Sequence, residues 1–239
     1  MVKALEVAQR LAEGGRVHEL TGMERGQSAN RIYRIWVGDG TRVAKVYGTP
    51  ARERREFHAL EVLASLPGTP KLIDRGVDGE TSWAIFEDAG RWNLGTLPEN
   101  PGLARKAGNI VRTVHATPSE KLSNLSRGMD QEWVAVDFLS TLRRLERYRR
   151  RLELSSDLIA DAREVRPPFA SDPRNAHTNP APDNFVVDDD GNLTLINWEW
   201  ATIAPAEWDI SKATWLLGLH AGPSAAAAFQ EGYGRSLDQ

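Results

Sequence analysis

Apolar and polar positions alternate along this chain in two rhythms, one near 3.6 residues and one of 2. Over residues 2 to 13, Ala4, Leu5, Ala8 and Leu11 fall near one helical face, and Gly14-Gly15 ends the repeat, which predicts a short packing helix. The stretch LTGMERGQSANRIYRIWVGDGTRVAKVY then predicts two strands around a Gly38-Asp39-Gly40 turn, behind a loop holding Gly22, Gly26, Ser28 and Asn30. Within the second strand Lys45 shares a face with Val43 and Tyr47, while Ala44 and Val46 share the other. An ammonium on an apolar strand face needs a partner. Thr49-Pro50 opens a helix to about Leu66, on which Glu53, Glu56, Leu60 and Leu63 form one row and Glu61 lies off it, solvated. Residues 69 to 88 predict a second hairpin around Asp78-Gly79, followed by a glycine-containing segment. Beyond Pro98 and Pro101, an amphipathic helix carries Leu103, Ala107, Ile110, Val111 and Val114 and ends at HATP.

The same rhythms continue toward the C-terminus. Residues 131 to 165 predict one long helical region with Trp133, Val136, Leu139, Leu142, Leu145 and Leu152 as its apolar stripe, broken by RPPFASDP. Its run RRLERYRRR is read first as a solvated face. From Asn175 the chain sets a short polar loop, NAHTNPAPDN, before a hairpin: Val186 and Val187 go out, DDDGN turns, and Leu193, Leu195 and Ile196 return. Two helices are expected after it, one through Ala225 to Phe229 ahead of Gly232-Tyr233-Gly234.

Composition narrows the classes. The 239 residues are 41% hydrophobic and 26% charged, enough for one large domain or two lobes around a sizeable core. A net charge of -3 and a pI near 6.0 supply no basic field for nucleic acid or an anionic membrane. Zero cysteines exclude disulfides and thiol chemistry and suit a reducing cytoplasm. The N-terminus carries Glu6 and Glu13 and lacks the apolar core of a signal peptide, and no run approaches the roughly 20 apolar residues that span a bilayer.

The polar loop and hairpin carry the chemistry. HTNPAPDN followed by INWE resembles the catalytic loop and metal-binding segment of aminoglycoside phosphotransferases and their choline-kinase and macrolide-kinase relatives. The family pattern is His, any residue, Asp, four residues, Asn, then a hairpin and Ile-Asp-Trp-Glu. His177, Pro182, Asn184, Ile196, Trp198 and Glu199 fit it. The resemblance implies an α+β, bilobal protein-kinase-like fold, with an antiparallel-sheet N-lobe over residues 1–87 and a mainly helical C-lobe over 88–239. It also implies ATP with magnesium as cofactors and a small-molecule hydroxyl as acceptor. Gly26 and Ser28 would cover the nucleotide, Lys45 would meet its inner phosphates and pair with Glu56, and the backbone around Glu87, Asp88 and Ala89 would face the adenine, with Phe86 behind. Asp209 in APAEWDIS would brace the catalytic loop, and His115 is expected to be a packed or capping residue. Family members that bind aminoglycosides need acidic residues near the acceptor, so an arginine-rich insert fits an anionic or neutral acceptor better. The chain also ends earlier than most relatives, which implies an acceptor side that is open or completed by another subunit.

Two positions depart from the pattern. Asn179 stands where the family places its catalytic base, and Asn197 where it places the metal-binding carboxylate; Asn184 matches a metal ligand and is itself neutral. An amide keeps the size of a carboxylate but cannot take a proton, and it offers a metal one oxygen and one repelled donor. Glu199 and Asp183 are the carboxylates near enough in sequence to compensate, Glu199 by sharing a strand face with Asn197. Three readings stay open: a nucleotide-binding pseudokinase; a small-molecule phosphotransferase with an unusual carboxylate set, or one inactivated by deliberate replacement; and a scaffold that binds no nucleotide.

Overall fold

The computed structural model describes residues 2–20, 30–118, 131–151, 153–165 and 173–234. The predicted loop positions Gly22, Gly26 and Ser28, Leu152, the side chain of Trp133, and residues 166–172 of the helix-breaking segment lie outside the described residues. The chain opens with helix α1 (Val2–Leu11), then a five-stranded antiparallel sheet in the order β1-β2-β3-β5-β4. Its strands are β1 (Val17–Glu19), β2 (Arg31–Val37), β3 (Gly40–Val46), β4 (Leu72–Asp78) and β5 (Thr81–Glu87). The three-residue β1 is a strand that the pattern did not predict, too short to show an alternation.

Strand alternation sorts the two faces of this sheet. Tyr33, Ile35, Ala44 and Val46 pack with Val7 and Ala8 of α1, and with Ala12 just past its end, into a small core on one side. Lys45 and Val43 point to the other side, as their alternation with Ala44 requires. Helix α2 (Pro50–Leu63) crosses there, with proline at its start and Glu56, Phe57, Ala59, Leu60 and Leu63 buried. Glu61 is exposed and faces Arg75, in keeping with its place off the buried row.

The remainder is mainly helical. Strand β6 (Trp92–Asn93) leads to α3 (Pro101–Ala116), whose first turn is capped by the Asn100 side chain accepting from the Leu103 N–H at 3.0 Å. The expected single helix over 131 to 165 is two, α4 (Gln131–Tyr148) and α5 (Ser156–Glu164). The chain turns between them with Glu153 at φ 54, and Ser155 caps α5 through the Leu158 N–H at 3.1 Å. The Ser-Ser-Asp cap was the stop signal that the apolar stripe concealed. Strand β7 (Pro173–Ala176) pairs antiparallel with β10 (Thr202–Pro205), a ladder absent from the sequence expectation because both strands are four residues long and 26 apart. Between them lie the polar loop, the hairpin of β8 (Phe185–Val187) and β9 (Leu193–Leu195), and a 3-10 turn over Trp198–Trp200. Helices α6 (Ala206–Ala221) and α7 (Pro223–Tyr233) follow.

The larger core does not stop at the end of the sheet. Tyr47, Phe57, Leu60, Leu63 and Phe86 join Val111, Phe185, Leu195, Trp198 and Phe229 in one cluster, so α2 and β5 are packed onto the helical part.

Candidate active site

A cleft of about 610 Å³ opens beneath the sheet, a size that accommodates a nucleotide-sized ligand. Ile32, Val43, Lys45 and Phe86 line it from the sheet, Glu56 from α2, and Asn184, Val186, Ile196 and Asn197 from the opposite wall.

At its inner end Lys45 is fixed by three acceptors. Its ammonium lies 2.7 Å from Glu56 Oε2, 3.2 Å from Glu199 Oε2 and 3.1 Å from Asn197 Oδ1. Glu56 ties several elements together, accepting from the Tyr47 hydroxyl at 2.8 Å and from the Trp198 N–H at 3.1 Å. Burial, and after it the Glu56 carboxylate, pushes the Tyr47 phenol far above its ordinary pKa, so it remains a neutral donor. Glu199 is held by Lys45, by Arg52 at 3.5 Å and by the Asn30 side-chain amide. It is buried and does not line the cleft. The expectation that Glu199 shares a strand face with Asn197 is corrected: Asn197 is a left-handed residue, φ 68 and ψ 53, that starts the 3-10 turn, and Glu199 points toward α2.

The polar loop is held from below. Asp209, fully buried on α6, accepts from the N–H groups of His177 at 2.8 Å and Thr178 at 2.7 Å, and it meets His115 Nε2 at 3.1 Å. The other His115 nitrogen lies 2.9 Å from the Tyr233 hydroxyl, so His115 is a packed residue at the end of α3. Thr178 has φ 65, a conformation that costs a β-branched residue energy; its carbonyl accepts from Trp208 Nε1 and its hydroxyl donates to the Trp200 carbonyl. His177 is buried, with Nε2 donating to the Ile196 carbonyl at 2.8 Å and Nδ1 accepting from the Asn179 N–H at 3.2 Å. Burial lowers its pKa, against raising contributions from Asp209 and the Ile196 carbonyl, so the ring is neutral. With both nitrogens engaged by backbone and no place on the cleft wall, His177 shapes the loop.

The three asparagines form one directed chain. Lys45 donates to Asn197 Oδ1, Asn197 Nδ2 donates to Asn184 Oδ1 at 2.7 Å, and Asn184 Nδ2 donates to the Asn179 carbonyl at 2.8 Å. An ammonium only donates and a backbone carbonyl only accepts, so the two ends fix the orientation of both amides between them. The Asn179 side chain is half-buried beside this chain and lies off the cleft wall.

At the outer end, Glu87, Asp88 and Ala89 line the cleft, as do Gly90 and Trp92. The Glu87 N–H is taken by the Lys71 carbonyl at 3.0 Å and its side chain faces Lys71. Among the described residues the Ala89 N–H donates to nothing. Arg34, which the sequence reading passed over, grips this segment: Nε meets Asp88 Oδ2 at 2.7 Å, and Nη2 meets Asp88 Oδ1 at 3.0 Å and the Gly90 carbonyl at 2.7 Å. Burial alone would raise the Asp88 pKa, but hydrogen bonds from Arg34, Thr41 and the Gly90 N–H outweigh it and hold it below the ordinary carboxylate value. The signal was present, since Arg34 lies two residues from Ile32 on the strand face that turns to the cleft, as Lys45 does from Val43.

Magnesium does not fit the donors present. The oxygens of Asn184 and Asn197 are neutral and each already accepts from a nitrogen donor, and among the described residues no three His, Cys, Asp or Glu side chains converge as a metal site. Asp183 is the exposed carboxylate on this part of the cleft wall.

A sheet roofing a cleft, a lysine–glutamate pair at the inner end and a braced polar loop opposite define a kinase-like phosphotransferase fold. A model of the phosphotransferase enzyme family matches residues 19–239, and the chain belongs to that family. In structure it is similar to an aminoglycoside-3'-phosphotransferase of type VIII, with a TM-score of 0.70 and 22% identity over 100% of this chain and 93% of that one. It is similar also to a spectinomycin phosphotransferase solved with ADP and spectinomycin, with a TM-score of 0.68 and 12% identity over 98% and 80% of the two chains. A third, an aminoglycoside phosphotransferase from Streptomyces rimosus, gives 0.66 and 18% over 99% and 93%. No curated protein matches the chain.

Proposed function

We propose that this protein binds an adenine nucleotide, ATP or ADP, in the cleft and has lost efficient phosphoryl transfer to a small-molecule hydroxyl. In this reading residues 1–87 cover the nucleotide, residues 88–239 carry the loop and the acceptor side, and the protein works in the cytoplasm. The observation that carries it is the Lys45–Glu56 pair on the cleft wall facing a chain of asparagines where the reaction wants anions. Ala89, with an amide that no described residue engages, supports adenine docking at the outer end. Transfer needs an anion to orient the acceptor hydroxyl and take its proton, and positive charge to spread the phosphoryl charge. Asn179 can accept a hydrogen bond from a hydroxyl but cannot take the proton, a deficit of ~10² to 10⁴ in rate. His177 and Glu199 supply no replacement base, since one is neutral and held by backbone and the other is ion-paired away from the cleft.

One observation favours the second reading, an active small-molecule kinase with a displaced carboxylate. Asp183 lines the cleft and makes no hydrogen bond or ion pair to any described residue. The deciding experiment is calorimetric titration of ATP and ADP together with a steady-state assay over aminoglycosides, macrolides and choline. Saturable nucleotide binding with turnover at least ~100-fold below the ~10 s⁻¹ typical of enzymes is expected. Turnover near that value, abolished by Asp183→Asn, would establish the second reading, and absence of nucleotide binding would leave a scaffold.

A further inference from the structure

We infer that the cleft takes its adenine ligand without a divalent cation, the amides of Asn184 and Asn197 being held in a chain that turns each oxygen to a nitrogen donor and offers a cation no anionic oxygen between them. This rests on the nucleotide-binding reading above. A cation between these two side chains would need both oxygens turned toward it. Turning the Asn197 amide would bring its NH2 against the Lys45 ammonium, donor against donor, and would break the 3.1 Å bond to Lys45 and the 2.7 Å bond to Asn184. Turning the Asn184 amide would set its oxygen against the Asn179 carbonyl that its nitrogen now meets at 2.8 Å. Each rotation exchanges a part-buried hydrogen bond for a repulsive contact, and neither adds negative charge to hold the ion.

The surrounding ions point the same way. Lys45 is already shared between Glu56 and Glu199, and Arg52 is directed at Glu199. Little positive charge is left at the inner end among the described residues, and Asp183 adds a negative one. Each phosphate on a ligand brings further negative charge. Without a cation to offset it, a nucleoside or monophosphate binds here at least as tightly as the triphosphate.

The test is calorimetric titration of adenosine, AMP, ADP and ATP, each in excess magnesium and in EDTA, with manganese titrated into the protein and followed by its electron paramagnetic resonance signal. Affinities that agree within about twofold on metal removal, ATP binding no more tightly than AMP, and a manganese signal that the protein leaves undiminished are expected. Magnesium tightening ATP by about tenfold or more, or protein-bound manganese, overturns the inference and leaves the nucleotide reading standing. No binding of any of the four ligands removes both. Asn197→Asp should make ATP binding magnesium-dependent by about tenfold or more. A folded Asn197→Asp protein indifferent to magnesium would show that the amide chain is not what excludes the ion. Should that variant fail to fold, manganese titration of the unaltered protein decides the question alone.

Discussion

Asp209 shows how one side chain determines the shape of a loop. Its two oxygens are shared among the His177 and Thr178 amides and the His115 ring, all buried. Removing the carboxylate in Asp209→Ala orphans both amides, and at about 1 to 3 kcal/mol each the loss should be about 2 to 6 kcal/mol in urea denaturation. A loss under 1 kcal/mol would mean that water replaces the carboxylate. His177 gives stability a pH dependence. Its folded pKa is depressed, so between that value and the unfolded pKa of about 6.5 the unfolded chain binds the extra proton. This contribution is fully present above about pH 6.5 and is lost as the pH falls, at up to ~1.4 kcal/mol per unit. Denaturation at pH 7, 6 and 5 should show this slope, and His177→Gln should flatten it. Strand alternation made Lys45 and Glu56 legible and would equally have revealed Arg34. Asn30 could not be read this way, because its partner Glu199 lies 169 residues away. Periodicity reports which face a residue takes, and contacts between remote segments have no period.

At the level of elements, helices α3 and α7 meet backbone to backbone. A Cβ on Gly108 would overlap the Phe229 carbonyl, and one on Gly232 would overlap the Arg105 carbonyl, so each helix presents bare backbone to the other. Gly108→Ala and Gly232→Ala should therefore each destabilise by about 1 to 3 kcal/mol, despite the better helix propensity of alanine. A gain in melting temperature in either variant would contradict this crossing. The helices and hairpins were legible where they carry several turns or an Asp-Gly reversal. The misread elements share a cause. β1, β7 and β10 are three or four residues long, and the break between α4 and α5 interrupts an apolar stripe that resumes on the far side. Val136 and Leu139 on that stripe are exposed, so α4 follows a helical pattern without burying all of it.

For the molecule as a whole, the continuous core predicts that sheet and helices unfold together. One calorimetric transition is expected, and two separated ones would show that the packing of α2 against the turn at Trp198–Trp200 is weak. Restoring the anions tests the proposed loss of transfer: Asn179→Asp with Asn197→Asp should return magnesium-dependent transfer, with each single change doing less than its share. An assay of the double variant that finds nucleotide bound and no transfer to any acceptor would place a further defect on the acceptor side. The Lys45–Glu56 pair has a bearing on evolution. Lys45→Met would strand Glu56 and Glu199 as buried charges, a loss of about 3 to 5 kcal/mol. Selection on folding alone would thus preserve this lysine and glutamate whether or not a phosphate is ever moved, so their presence is a record of architecture and by itself says nothing of an enzyme's livelihood.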